Sequence, residues 1–438
     1  MLRAKGLSGL IMCGLLGAAP VVQADAVTDW NEITLTAVTA GRGGPIGSLD
    51  IALVQIAVHD AVQALDKRYE PYYVELKNAR GSRIAAVAAA AHGVLVGMYP
   101  LQAATLDLQL ANYLADRGLA NDPGVAVGQK VAGGILPLRR VNPNPLPQPF
   151  IGEEKVGKWR PTPSFLGNPP SPPSSSPMFA PWMAEFDPFT LTGPMRFRAD
   201  PPPALTSQRY ARDYEEVRAL GSLNSTARSP EQTDIAYFYA DNIFAQWNRG
   251  LRAIATAHVH RLGDSARLFA LANVATADAV VSSWDSKKFY NVWRPVTAIA
   301  QGDADGNPAT TGEPSWQPLI NTPNYPDYTS GANGVTGAMT RTLALFFGTD
   351  RMTFDLTSNV PQVIRKTRTY HRFSDAAQDV VDARMYLGIH FRFADVAGRT
   401  QGRRVAEHAF DHFFLPCSDG GGHRTFAEEG AAEAAEVR

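Results

Sequence analysis

The chain has 438 residues, with 41 Lys and Arg against 42 Asp and Glu and a formal net charge of −1. That length permits a large buried core and two to three domains. The near cancellation of charge, with no long basic run, argues against nucleic acid or an anionic membrane surface as a partner.

At the N-terminus, Arg3 and Lys5 precede an apolar stretch from Gly6 to Ala19, and Val22-Gln23-Ala24 forms a small-residue cleavage site. This is the pattern of a secretory leader over 1–24, so a secreted or periplasmic protein is expected. Met12 before Cys13 is too large for lipoprotein processing, and loss of the leader leaves Cys417 as the one cysteine. A disulfide framework is thereby excluded. The best later apolar stretch, Ile84 to Met98, spans about 15 residues and contains His92, too short for a bilayer span. No membrane span is expected in the mature chain.

Helical periodicity dominates thereafter. Ser48 to Leu65 sets Leu53, Ile56, Ala57, Ala61 and Leu65 on one face, and apolar helical stretches follow near 82–98, 101–117 and 122–137. These predict an N-terminal helical bundle over 25–140. Between Pro143 and Pro203 lie 17 of the 32 prolines, which predicts an extended connector over 141–205. Its aromatics Trp159, Phe165, Phe179, Trp182, Phe186 and Phe189 suggest that it packs on a surface. Helices are expected again near 206–220, 230–249, 252–262, 264–285, 332–347, 374–386 and 390–414, giving a second bundle over 206–416 and a fraying tail over 417–438. The fold class is all-α, two helical bundles joined by a Pro-rich connector.

Three segments of the second half carry the chemistry. Lys287 and Arg294 stand seven residues apart, almost two helical turns, so one face could present both cations about 10 Å apart. Pro295 ends that helix and frees the guanidinium for bidentate contact with oxyanion oxygens. In Tyr325-Pro326-Asp327-Tyr328-Thr329-Ser330-Gly331-Ala332-Asn333-Gly334, a loop reaches Ser330 as a helix cap, and free amides at a helix start bind anions. In Arg384-Met385-Tyr386-Leu387-Gly388-Ile389-His390, a continuous helix would turn Arg384 and His390 about 120° apart. They can share a ligand only if Gly388 ends one helix and His390 opens the next. Such a histidine can ligate a metal centre or attack phosphorus. Asp303-Ala304-Asp305-Gly306-Asn307 looks like a calcium loop, but Pro308 and Pro314 occupy positions that need Gly and Glu, which makes it a turn.

In this order the segments resemble those of the vanadium-dependent haloperoxidase and type 2 phosphatidic acid phosphatase superfamily, in its soluble, secreted haloperoxidase-like branch. That motif reads Lys-x6-Arg-Pro, then Pro-Ser-Gly-His, then Ser-Arg-x5-His. Lys287, Arg294 and Pro295 match the first part, Ser330 and Gly331 the second, Arg384 and His390 the third. Thr329, Ala332 and Ala383 depart from it. The resemblance implies vanadate as cofactor, with phosphate as alternative occupant. Lys287, Arg294 and Arg384 would neutralise its oxygens, Ser330 and Gly331 would donate hydrogen bonds, and His390 would be the metal ligand. Trp284 and Tyr325 fall near the family's halide pocket. Implied substrates are hydrogen peroxide, a halide and an organic acceptor, or a phosphate ester. Three functions stay open: a haloperoxidase, a soluble acid phosphatase working through a phosphohistidine, and a degenerate phosphate or vanadate binder. Ala332 motivates the last, because it stands where the motif histidine would move a proton. Asp327, Asn333 and His371 are candidates to replace that group. Asp395, five residues after His390, departs from the motif's acid at four, a spacing that weakens an orienting role.

Overall fold

In a computed structural model, described here for residues 25–139, 149–164 and 177–417, thirteen α-helices surround one two-stranded antiparallel hairpin. The expected leader, the connector residues around Phe165 and the tail after Cys417 lie outside the described residues. The first five helices are α1 (Ala26–Arg42), α2 (Pro45–Asp66), α3 (Arg83–Met98), α4 (Ala103–Ala115) and α5 (Gly124–Ile135). After the connector come α6 (Gln208–Leu220), α7 (Pro230–Phe238), α8 (Ile243–His258), α9 (Leu262–Tyr290) and α10 (Pro295–Ala300). The last three are α11 (Gly331–Phe346), α12 (Phe373–Tyr386) and α13 (Arg392–His412). Strands β1 (Arg351–Thr357) and β2 (Thr367–Arg372) lie between α11 and α12. The all-α class is therefore as expected.

Two helices are buried on every face and lie in the core. Helix α2 buries every residue from Gly47 to Ala64, and α9 every residue from Gly263 to Lys287. The single-face reading of 48–65 is thus too narrow, because α1, α3 and α9 cover α2 from several sides. By length and composition α2, rather than the stretch 84–98, is long and apolar enough to cross a membrane, and here it is buried in the core. One hydrophobic cluster runs unbroken from Val27 and Trp30 of α1, through α2 and α9, to Leu343 of α11 and Phe373 of α12.

Several boundaries differ from expectation, each for a local reason. Asp25 caps α1 by accepting from Thr28 N, so a helix not expected from the sequence begins at Ala26. The expected helix over 230–249 is broken at 239–242, where Asn242 accepts from Phe244 N and Ala245 N and restarts the chain as α8. The hairpin was missed although Met352, Phe354 and Leu356 alternate with polar residues at period two. In the described part of the connector, Trp159 is fully buried and its amide donates to Asn291 O, while Trp293 N donates to Gly157 O. It braces the loop that carries Arg294. The calcium-like segment is a closed turn in which Asp305 accepts from Thr310 and from Asn307 N.

Candidate oxyanion site

Lys287 and Arg294 do not leave one helical face. Helix α9 ends at Tyr290, Asn291 takes a left-handed conformation (φ 51°), and Arg294 becomes the N-cap residue of α10. The two cations still meet, because the loop 325–327 bridges them. Lys287 Nζ donates to Pro326 O at 2.7 Å and Asp327 O at 3.1 Å, and Arg294 Nε donates to Tyr325 O at 2.8 Å. Both cations also lie 4.9 Å from the Tyr325 ring centroid, a favourable placement over a π face. Both are fully buried.

The third segment behaves largely as its glycine required. Gly388, at φ +75°, ends α12 just after Arg384, and a Cβ there would meet Gly221 O at 2.4 Å. His390 does not open α13, which starts at Arg392; it sits in the link between the helices, 1% exposed. The link returns it to Arg294, whose Nη1 lies 3.3 Å from Nδ1 and 3.1 Å from Nε2 of the ring. Arg384 Nη1 donates to Tyr239 O at 3.1 Å.

Ser330 stands at the N-cap position of α11, but its side chain does not cap the helix. Its amide donates to Ala394 O at 3.0 Å, tying the loop to α13, and its hydroxyl accepts from Asn333 Nδ2 at 3.3 Å. The amides of Gly331, Ala332 and Asn333 belong to the first turn, where a helix supplies no internal acceptor. Expected capping is therefore replaced by a hydroxyl and a set of amides left for another acceptor.

Two acids complete the site. His390 Nδ1 lies 2.7 Å from Asp327 Oδ1, and Arg294 Nη1 lies 3.5 Å from the same oxygen. Asp395 is fully buried and accepts from Asn333 Nδ2 at 2.8 Å. Asp327 and Asn333 thus lie in the site, whereas His371 is on β2, exposed and 3.0 Å from Thr353 Oγ1. The sequence singled out Asp327 only as a stand-in for the missing histidine. The unbalanced cations around it were the signal that a buried acid must sit between them.

Burial dominates the electrostatics. It pushes Asp327 up to about 7, against the pull of Arg294 and Lys287, and Asp395 well above the ordinary carboxylate range. Burial, with Arg294 beside it, holds Lys287 well below the usual lysine range. Burial and then Arg294, Lys287 and Arg384 hold His390 well below 6.5, so its ring is neutral and a lone pair is available. Arg294 Nη2 and Arg384 Nε are buried without a hydrogen-bond partner among the described residues. Buried donors of this kind call for an acceptor, and cations in excess of ionised acids call for an anion. A tetrahedral oxyanion such as vanadate or phosphate fits both demands.

A cleft of about 250 Å³ reaches this point from outside. Trp284, Tyr325, Gly331, Ala332, Arg384 and His390 line its inner end; Gly44-Pro45 and Ala240–Phe244 form its rim. Trp284 is thus both core and wall: it is 1% exposed, and its ring centroid lies 5.0 Å from that of Tyr325.

The fold is helical, and the buried cluster has the chemistry that fits a tetrahedral oxyanion. Residues 267–417 match the family described as the VCPO second helical-bundle domain. Vanadium chloroperoxidase of Curvularia inaequalis is 28% identical over an alignment covering 46% of this chain. That alignment covers 44% of the relative, so the chain spans less than half of its length. Among solved structures, a bacterial vanadium-dependent iodoperoxidase shares the fold with a TM-score of 0.75 and 23% identity, covering 90% of this chain and 98% of that one. An apo bacterial vanadium-dependent chloroperoxidase does so with a TM-score of 0.67 and 17% identity, covering 87% and 97%. Residues 267–417 thus belong with the second helical-bundle domains of that family, and the chain as a whole shares the fold of the bacterial vanadium-dependent haloperoxidases.

Proposed function

We propose that this protein is an exported, vanadate-dependent haloperoxidase-like enzyme that uses hydrogen peroxide to oxidise a halide. One observation carries the reading: a buried His390 stands with Lys287, Arg294 and Arg384 beside a cleft that His390 and Arg384 line, and Arg294 Nη2 and Arg384 Nε have no hydrogen-bond partner among the described residues. His390 would hold vanadate through a ring nitrogen. The three cations would neutralise its oxygens, with the Ser330 hydroxyl and the Gly331 amide as donors. When bound, vanadate supplies Lewis-acid chemistry toward peroxide without changing oxidation state. The cations pre-orient the oxyanion, the apolar walls of Trp284 and Tyr325 exclude water, and the cleft admits small reactants. The relation to named haloperoxidases supports the halide and peroxide assignment.

A second reading, an oxyanion binder with little turnover, is favoured by Ala332. Of the ionisable residues lining the cleft, Asp241 is engaged by Arg249 Nη2, and Ala332 supplies only a methyl group beside His390. Loss of a general acid–base typically costs about 10²–10⁴-fold in rate. The same cage would serve a phosphatase, with His390 as nucleophile.

The test assays purified protein with vanadate, peroxide and bromide, and separately with an activated phosphate ester. Bromination that vanishes in His390→Ala is the expected result. Phosphate release inhibited by vanadate would replace the proposal with the phosphatase, and binding without either turnover would replace it with the binder. Ala332→His is expected to raise peroxidase turnover by about 10²-fold. No rise in either activity would refute the placement of Ser330-Gly331 around the anion.

A further inference from the structure

We propose that Asn333, anchored by Asp395, is a positioning residue that keeps the Ser330 hydroxyl off the end of helix α11 and turns its proton toward the oxyanion. The role rests on the reading of the buried cluster as an oxyanion site. A serine at an N-cap ordinarily spends its oxygen on a main-chain amide of the first turn, that of the second or third helical residue. Here Asn333 is the third helical residue, and no such cap forms. The Ser330 oxygen accepts from the Asn333 side chain instead, Nδ2 to Oγ at 3.3 Å. Nδ2 also donates to Asp395 Oδ1 at 2.8 Å, so both of its hydrogens are committed. All three side chains are fully buried.

Three observations separate this arrangement from ordinary packing. First, the main chain of Ser330 is already fixed from α13: its amide donates to Ala394 O at 3.0 Å, and Thr329 Oγ1 beside it donates to Gln401 Oε1 at 2.7 Å. Asn333 therefore decides the direction of the hydroxyl rather than the course of the loop. Second, an amide nitrogen only donates, so the Ser330 oxygen is the acceptor in that bond and keeps its own proton for another acceptor. Within the chain Asp395 competes for that proton, but Asn333 occupies its Oδ1, and burial favours its uncharged form, a weaker acceptor than an oxyanion. Third, the diverted hydroxyl leaves the first-turn amides without a side-chain cap, and the helix offers them no internal acceptor. Gly331 and Ala332 line the inner end of the cleft with Arg384 and His390. One side-chain amide thus sets aside two kinds of neutral donor, hydroxyl and backbone N–H, for a ligand that enters by the cleft. The arrangement favours donors at the expense of acceptors: Asn333 Oδ1 and Asp395 Oδ2 are buried without a partner among the described residues.

The test is a double-mutant cycle, read by calorimetric titration of the apo protein with phosphate, whose oxygens need the same donors as those of vanadate. Ser330→Ala and Asn333→Ala are each expected to weaken phosphate about 10-fold. Because Asn333 acts through Ser330, the double variant should be no worse than either single one to within about three-fold. Thermal unfolding of each apo variant shows that it is folded, and Asn333→Leu, which fills the space of the amide, is expected to match Asn333→Ala. Asp395→Leu should lose affinity as Asn333→Ala does. Asp395→Asn keeps an acceptor for Nδ2 without the charge and should stay within about three-fold of wild type. Wild-type affinity in Asn333→Ala overturns the proposal, as do losses that multiply in the double variant or an Asp395→Asn as weak as Asp395→Leu. Lys287→Met judges the underlying site separately. If it loses phosphate while Asn333→Ala does not, the positioning role alone falls; if it too binds phosphate as wild type does, the oxyanion site itself is overturned.

Discussion

The molecule contains two buried histidine–aspartate neighbourhoods, and they are built on opposite terms. In α2, His59 and Asp60 are both fully buried; His59 Nε2 lies 3.1 Å from Glu70 O, and Asp60 accepts from the amides of Tyr72, Tyr73 and Val74. The Asp60 carboxylate and His59 Nε2 are answered by the backbone of the following loop, while His59 Nδ1 has no hydrogen-bond partner among the described residues. In the second half, His390 and Asp327 are equally buried but stand with arginines of which two donors, Arg294 Nη2 and Arg384 Nε, have no partner among the described residues. The first arrangement consumes its polar groups to hold a loop. The second leaves some of them unsatisfied, a cost in folding stability that the proposed anion site would explain.

The comparison breaks if the two acids prove interchangeable in their effects. Asp60→Ala leaves three amides without acceptors and should cost about 3–5 kcal/mol of unfolding free energy. Chemical denaturation measures it, and a loss below 1 kcal/mol would deny Asp60 its structural role. Lys287→Met probes the other neighbourhood. It should lower vanadate affinity about 100-fold, or about 2.7 kcal/mol, while the apo protein melts near the wild-type temperature, because the desolvation cost of the buried ammonium is removed together with its bonds to Pro326 O and Asp327 O. Calorimetric titration and thermal unfolding read the two halves, and a destabilised apo protein would contradict the account.

The smallest effect sharpens the comparison through pH. Burial depresses His59 from 6.5 to about 4. A histidine depressed in the folded state contributes stability that is present above pH 6.5 and lost as pH falls toward 4, since the unfolded chain takes up a proton that the folded chain refuses. Between pH 6.5 and 4.5 this amounts to about 2 kcal/mol. Asp60, raised to about 6, acts with the opposite sign, its stability being present below about 4 and lost as pH rises through 6. In His59→Leu the loss on acidification should therefore disappear and the Asp60 trend should stand alone. Denaturation midpoints at the two pH values check it; a variant that loses as much stability as wild type on acidification would remove His59 from the account.

The order of cationic and hydroxyl residues was legible because each carries its chemistry in its own side chain, and the order survives in the fold. What sequence spacing misjudged was how those residues meet. Lys287 and Arg294 looked like one helical face, but Asn291 in a left-handed conformation ends α9 between them, and a loop 30 or so residues downstream joins them instead. The place of Asp327 was invisible for the same reason: its contacts to Val292, Lys287 and His390 are all long-range. Gly388, by contrast, announced its own turn, since a lone glycine between an arginine and a histidine has few other uses.

Helices α11 and α13 cross at the thickness of bare backbone. A Cβ at Gly402 would fall 2.0 Å from Gly334 O, one at Gly398 2.3 Å from Ser330 O, and one at Gly337 2.3 Å from Arg399 O. A methyl group at any of these positions would be passed on as a displacement of the Ser330 loop. For anyone redesigning the protein by randomised libraries, this seam is therefore a fixed hinge pin that should be left untouched. The tunable ground lies on the rim at Gly44-Pro45 and Ala240–Phe244, contributed by two distant stretches of chain and free of that crossing.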